Sequence, residues 1–197
     1  RIDDKARAES IAAACESQSG VVRSVIKENK SVAPPKLYDL TTLQRDANRI
    51  FGFTAKQTLE YTQSLYEKKL VTYPRTDSQY LSDDMEETAK AVIGAVYQAI
   101  LFEEQTGAEP DIKRVLNSKK VTDHHALIVT GVVPEGLSEA EAVVYEMIAG
   151  RMLEAFSPRC EKESLKMECV CEGMDFRSQS AVIVNPGWRA VFSRKEV

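Results

Sequence analysis

The sequence predicts an α+β chain: a mainly helical domain inserted into an antiparallel β domain that is cut short at both ends. Three observations carry this. Between Thr41 and about Phe156, four segments space their apolar residues as helices do. Outside that stretch, residues 21–32 and 165–184 alternate in the manner of strands. Pro34-Pro35 and Pro158 stand at the two switches, where neither helix nor strand continues easily. The corresponding domains are residues 1–36 with 158–197 for the β part and 37–157 for the helical part.

The elements follow in order. Lys5 to Ser17 is alanine-rich and helical, offering Ala6, Ile11, Ala14 and Cys15 on one face, and Gly20 ends it. "VVRSVIKENKSV" reads as a strand. A helix is predicted from Thr41, with Gln44 at capping-box spacing, Leu43, Ala47, Ile50 and Phe51 on one face, and Gly52 as its stop. Thr54 and Gln57 open the next, whose stripe is Ala55, Leu59, Thr62, Leu65 and Tyr66. Two short helices across a glycine resemble a helix-turn-helix, a weak signal alone. That second helix should end near Lys69-Leu70, because a residue before proline leaves the helical region and Tyr73 precedes Pro74. Ser82 starts a third, acidic in its first turn, with Met85, Ala89, Val92, Ile93, Val96 and Ile100 inward. Ser138 and Glu141 cap a last long helix to about Phe156. Then Leu165, Met167, Cys169 and Cys171 alternate, Glu172-Gly173 turns a hairpin, and "SAVIVNPGW" returns as a strand that carries Trp188 into the core.

Composition narrows the class. At 43% hydrophobic and 28% charged residues, the chain of 197 is that of a soluble protein. No apolar run approaches the ~20 residues of a membrane span. The charged start at Arg1 argues against a signal peptide, and the absent initiator Met suggests a piece of a longer protein. Four cysteines without a CxxC pair, and two adjacent histidines, argue for free thiols in a reducing cytoplasm and against structural zinc.

A net charge of -4 excludes a wholly basic nucleic-acid binder, but the charge is uneven. Residues 36–75 hold seven Lys/Arg against four Asp/Glu, whereas residues 76–112 hold nine acids and one base. The basic stretch surrounds "VTYPRTDSQYLS". A phenol titrates near ~10 and is a poor nucleophile at neutral pH unless a cation or a base assists it. Arg75, two residues past Tyr73 in an extended segment, points to the same side, where its planar fork suits phosphate oxygens. Thr76, Asp77 and Ser78 add short polar groups able to buttress the arginine or the backbone. By itself a Tyr-Pro-Arg is more commonly a surface turn.

The long string "LYDLTTLQRDANRIFGFTAKQTLEYTQSLYEKKLVTYPRTDSQYLS" closely resembles the active-site region of type IA DNA topoisomerases. "DHHALIVTG" resembles their second signature, and "VNPGWRAVF" follows in family order, so the likeness runs from about Arg1 to Phe192. Tyr-Pro-Arg and the paired histidines favour the topoisomerase III branch. Val129 stands where the family usually has proline. The resemblance implies the tyrosine-bearing domain III within part of the β-rich domain II. It implies Tyr73 as the nucleophile that forms a 5′-phosphotyrosine bond with single-stranded DNA, without ATP. Arg75 would position and neutralise the scissile phosphate. His124 would contact a DNA phosphate, with His125 a weaker candidate. Thr76, Asp77 and Ser78 belong to the DNA-facing motif, the last two chiefly as support for its shape. The family's Mg²⁺ belongs to a Toprim domain, and no DxD motif accompanies a strand–helix unit here. The chain is therefore expected to hold no metal, to lack activity alone, and to act with the rest of its parent in the cytoplasm, at the nucleoid in a bacterium.

Two rivals come from other classes. A non-catalytic helix-turn-helix module would use the basic stretch from Lys56 to Lys69 on duplex DNA and would not need Tyr73. A protein-interaction piece has only the acidic helix after Ser82 in its favour, and a charge run is usually a solvated face. For His124-His125, Asp123 is the one further ligand type nearby, which is too little for a metal site.

Overall fold

The computed structural model describes residues 2–99 and 110–192. It is α+β, as the sequence predicts. The helices are α1 (Lys5–Cys15), α2 (Leu40–Phe51), α3 (Ala55–Glu67), α4 (Glu86–Ala99) and α5 (Glu139–Phe156). The strands are β1 (Val21–Val32), β2 (Cys160–Cys171) and β3 (Met174–Asn185), in one antiparallel sheet of order β1-β2-β3. The chain divides into two compact units, residues 1–32 with 161–185 and residues 33–160 with 186–197. Among the described residues, no helix is long and apolar enough to cross a membrane.

In the sheet unit, α1 starts because the Asp4 carboxylate accepts from the backbone N–H groups of Ala6 and Arg7. It stops at Cys15, two residues earlier than predicted, and Ser17 takes a left-handed φ of 62°. None of its residues is buried, and of the predicted face only Ile11 and Cys15 are even half-buried. The β2–β3 register runs from Glu161 opposite Asn185 to Cys171 opposite Met174. Glu172 (φ 47°) and Gly173 (φ 73°) make the two-residue turn, both left-handed as a type I′ hairpin requires. Of the alternating residues, Cys171 is buried, Met167 and Cys169 are half-buried and Leu165 is 38% exposed, with its neighbour Ser164 buried. Val21, Val22, Val25, Ile26, Val182, Ile183 and Val184 are all exposed. Cross-strand ion pairs run across the sheet, among them Lys27–Glu163 (2.7 Å) and Arg177–Glu168 (3.0 Å).

The helical unit holds the core. Helix α2 begins one residue before the predicted Thr41. Its cap is Asp39, whose carboxylate accepts from the Thr42 N–H while the Thr42 hydroxyl takes the Asp39 N–H. Gln44, assigned to that box by spacing, instead donates to the carbonyl of Ala55. Leu43 and Ala47 are buried, but Ile50 and Phe51 are exposed, and Phe51 stacks on Phe53 at 5.9 Å. Gly52 ends α2 in the left-handed region, as predicted. Helix α3 has the predicted Thr54–Gln57 box. Its buried stripe is Thr58, Thr62 and Leu65 rather than Leu59 and Tyr66. The threonine hydroxyls donate to carbonyls one turn back, Thr58 to Thr54 and Thr62 to Thr58, so their methyl groups can face the core. The helix ends at Glu67, a little before the predicted stop, with Lys69 at φ 61°.

A 3-10 turn, Asp83–Met85, leads into α4, which buries Ala89, Val92, Ile93 and Val96. Ile100, predicted on that face, lies outside the described residues. Helix α5 carries the Ser138–Glu141 box and buries twelve of its eighteen residues, so it is a central helix rather than a one-sided one. Tyr38, Asp46, Arg151 and Glu154 tie α2 to α5: Arg151 donates to Asp46 (2.7 Å) and Glu154 (3.1 Å) and lies 4.0 Å from the Tyr38 ring centre. After β3 the chain forms a 3-10 turn, Gly187–Ala190. Trp188 sits there, half-buried, and not on the predicted strand; its N–H donates to the Pro158 carbonyl.

Candidate active site

Tyr73 follows α3 on an extended segment that has no helix of its own to hold it. A run of residues about fifty positions later does so instead. Thr72 N–H donates to the Ile128 carbonyl (2.9 Å), and Thr130 N–H to the Leu70 carbonyl (3.0 Å). Val71 and Val129 form an antiparallel bridge, with Val129 wholly buried at the place where the family usually has proline. The Thr72 hydroxyl donates to the Ala126 carbonyl and accepts from the Ile128 N–H. Further along, Ala126 N–H donates to the Tyr80 carbonyl and Leu127 N–H to that of Tyr38. Segments 36–40, 70–81 and 116–130 thus make a small irregular ladder, with the "HHALIVT" string in its middle.

Alternation along this ladder sorts the candidate residues. Pro74, Thr76 and Ser78 are buried, whereas Arg75 and Asp77 are exposed and Tyr73 is half-buried. The buried hydroxyls are fully used. Thr76 donates to the His124 carbonyl (3.0 Å) and accepts from the Ser78 N–H, while Ser78 lies within hydrogen-bond reach of the carbonyls of Lys120 and Tyr80. The hydroxyls of Thr76 and Ser78 therefore fix backbone. Asp77 accepts from the Thr122 hydroxyl at 2.7 Å.

What the ladder brings together is Tyr73 and His124. Their ring centres lie 4.3 Å apart with planes tilted by 41°. The Tyr66 ring, exposed on the last turn of α3, meets Tyr73 edge-on at 5.5 Å. These rings line an open cleft of about 890 Å³ with Lys69, Thr72, His125 and Thr130. Arg75 lines a neighbouring hollow of about 410 Å³ along α3, beside Lys56, Gln63 and Glu67. Glu67 borders both hollows, and Arg75 has no ion pair or hydrogen bond among the described residues. His124 is exposed, while His125 is half-buried with Nδ1 2.8 Å from the Ala126 carbonyl. Spacing alone did not single out Tyr66. Its position seven residues before Tyr73, across the end of a helix, is the one sequence signal for it.

Comparison with known proteins assigns the chain to the type IA DNA topoisomerases. The family model described as DNA topoisomerase matches residues 1–197, and the chain belongs to that family, as a topoisomerase III homologue. It is 40% identical over 98% of its length to DNA topoisomerase 3 of Staphylococcus saprophyticus, covering 28% of that protein. It is 38% identical over 92% of its length to DNA topoisomerase 3 of Bacillus subtilis, covering 26%. The chain thus spans about a quarter of the length of the relatives it matches. The solved structure of full-length topoisomerase I from Thermotoga maritima superposes over 98% of the chain and 32% of its own, with a TM-score of 0.70 at 24% identity, a likeness of fold.

Proposed function

We propose that this chain supplies the nucleophile with which a type IA topoisomerase breaks and reseals one DNA strand. The observation that carries the reading is the Tyr73 phenol in an open cleft, with the His124 ring against it and an unpaired Arg75 two residues on. The phenol oxygen attacks a backbone phosphorus; the P–Oη bond forms as the P–O3′ bond breaks. One proton leaves the phenol and one is taken up by the departing 3′ oxygen. The product is a 5′-phosphotyrosine and a free 3′-hydroxyl. A diester replaces a diester, so the step is nearly balanced in energy and can be reversed without ATP. Negative charge grows on the phosphate oxygens, and the groups proposed to meet it are His124, against Tyr73, and Arg75, on the neighbouring hollow. The substrate proposed is single-stranded DNA, whose backbone would enter the open cleft that Tyr73 lines.

The described residues contain no group of three or more His, Cys, Asp or Glu arranged for a metal ion. The family's Mg²⁺ is proposed to belong to a Toprim domain of the parent protein. For that reason the chain alone is expected not to relax supercoiled DNA.

The test is covalent trapping on a labelled single-stranded oligonucleotide, resolved on a denaturing gel. The intact parent with Mg²⁺ should give an adduct that disappears in Tyr73→Phe, and this chain alone should give none. An adduct surviving in Tyr73→Phe would sink the assignment. Salt-sensitive duplex binding with no adduct from the parent would favour a helix-turn-helix module instead.

A further inference from the structure

A second group of side chains gathers at the other end of the ladder. Tyr80 is half-buried, with its N–H on the Ser78 hydroxyl (3.1 Å) and its carbonyl accepting from Ala126 (2.9 Å). Two ammonium groups converge on its ring: Lys36 Nζ lies 5.1 Å and Lys120 Nζ 4.8 Å from the ring centre. Lys120 Nζ also lies 3.4 Å from the phenol oxygen. Neither lysine has an ion pair with an acid among the described residues, although both are exposed and free to seek one. Asp77, the acid on the same stretch of ladder, is engaged by Thr122. A hydrogen bond from Lys36, with Lys120 adding to it against the opposing effect of burial, holds the Tyr80 phenol below its ordinary range.

Two like charges about 5 Å from one ring repel each other, and the quadrupole of a phenol offsets only part of that. An anion between them would offset the rest. Surface lysines are ordinarily spread along flexible stems. These two are drawn to one point by a fixed backbone: the Ser78 hydroxyl reaches the carbonyls of both Lys120 and Tyr80, and Lys36 enters the same ladder two residues before Tyr38. The same ladder holds His124 through Thr76, so the lysine pair and the Tyr73 cleft are rigidly connected by hydrogen bonds.

We propose that Lys36, Lys120 and the Tyr80 hydroxyl form a second phosphate site, which grips the backbone of single-stranded DNA at a phosphate other than the one Tyr73 attacks. The site rests on the DNA reading given above and deepens it. It takes a phosphodiester, not a base: with both lysines against its ring, Tyr80 offers its hydroxyl rather than a stacking face. Its role is to hold the strand in register while the break is open.

The experiment is binding of a labelled single-stranded oligonucleotide to the chain across a salt series. It compares the wild type with Lys36→Ala/Lys120→Ala, Tyr80→Phe, Arg75→Ala, and the control Lys90→Ala/Lys113→Ala. Each phosphate no longer neutralised lowers the slope of log affinity against log salt by about 0.7 on a single strand, so the Lys36/Lys120 double variant, which gives up one phosphate, should lose about 0.7. Tyr80→Phe should weaken binding and leave the slope unchanged. A control double variant that lowers the slope equally would show a general charge effect and overturn the site. An unchanged slope in Lys36→Ala/Lys120→Ala, with weakened binding in Arg75→Ala, would overturn the site and spare the Tyr73 cleft. No oligonucleotide binding by any form would overturn both.

Discussion

Glu141 does several things with one carboxylate. One oxygen accepts from the N–H and hydroxyl of Ser138, closing the cap of α5, and the other accepts from the Ser64 hydroxyl (2.5 Å) and Lys68 Nζ (2.7 Å) of α3. The Lys68 bond, then those from Ser64 and Ser138, hold its acid constant down at about 2 against the opposing effect of burial. An unfolded glutamate titrates near ~4.3. The folded value is the lower one, so the stabilisation is complete above that pH and is lost as pH falls from about 4.3 toward 2. Glu141→Gln keeps the cap geometry but loses the charge. It should lower stability by about 1 kcal/mol at neutral pH, since the lysine end is over a third exposed and screened. The gap between wild type and variant, followed by thermal melting, should close below pH 3. A gap constant from pH 7 to 2 would mean that the ion pair contributes nothing. Which residues matter at this scale was partly legible in the sequence. The Ser138–Glu141 and Thr54–Gln57 boxes are local patterns and could be read directly. The link from Glu141 to Lys68 joins residues 73 apart, and no spacing rule reaches it.

At the scale of elements, the hairpin between β2 and β3 carries a residue unsuited to its place. Type I′ turns need positive φ at both central positions, and Glu172 adopts 47° despite its Cβ. Asparagine tolerates that region better than glutamate. Glu172→Asn should therefore stabilise the hairpin by about 0.5 kcal/mol, seen as slower amide exchange at Cys171 and Met174. Faster exchange there would contradict the turn type. The helices show why apolar periodicity reads some faces and misses others. Helix α4 puts its predicted valines and isoleucine inside. Helix α3 buries Thr62, as predicted, and also Thr58, which a search for apolar residues passes over; each hydroxyl is satisfied within its own helix. Helix α2 exposes Ile50 and Phe51 at its end, where the stripe has run past the core it serves. On the sheet, Cys171 is buried and Met167 and Cys169 half-buried, while Leu165 is exposed next to a buried Ser164, so the alternation holds near the hairpin and fails at Leu165.

At the scale of the molecule, the two units are built differently. The helical unit has a continuous core, with α5 buried on most sides and Leu43, Leu65, Leu81, Ile148, Met152 and Leu153 nearly inaccessible. In the sheet unit α1 buries nothing, and almost every residue of β3 is exposed. Protection against hydrogen exchange follows burial. The amides of α5 should be the slowest to exchange, and those of α1 and β3 should exchange faster by at least two orders of magnitude. Equal protection in both units would show a core in the sheet unit that these residues do not account for. The α+β class and the succession of elements were legible in the chain, because period and punctuation encode them. The cleft was not: Tyr73 and His124 share no local pattern, and only the likeness of "YPRTDS" and "DHHALIVTG" to a known family joined them in advance.

The ladder that holds Tyr73 also sets a schedule for synthesis. Its tyrosine side is made first, and the partners that fix it, from the His124 carbonyl to Thr130, are added some fifty residues later. At ribosomal speeds of about 5–20 residues per second, several seconds pass in which α2 and α3 are available and Tyr73 has no fixed place. A chain stopped after Lys120 would carry the whole "YPRTDSQY" string and still be unable to aim it. The second signature is thus the last part of the cleft to arrive, and a nascent chain cannot bring Tyr73 and His124 together until it does.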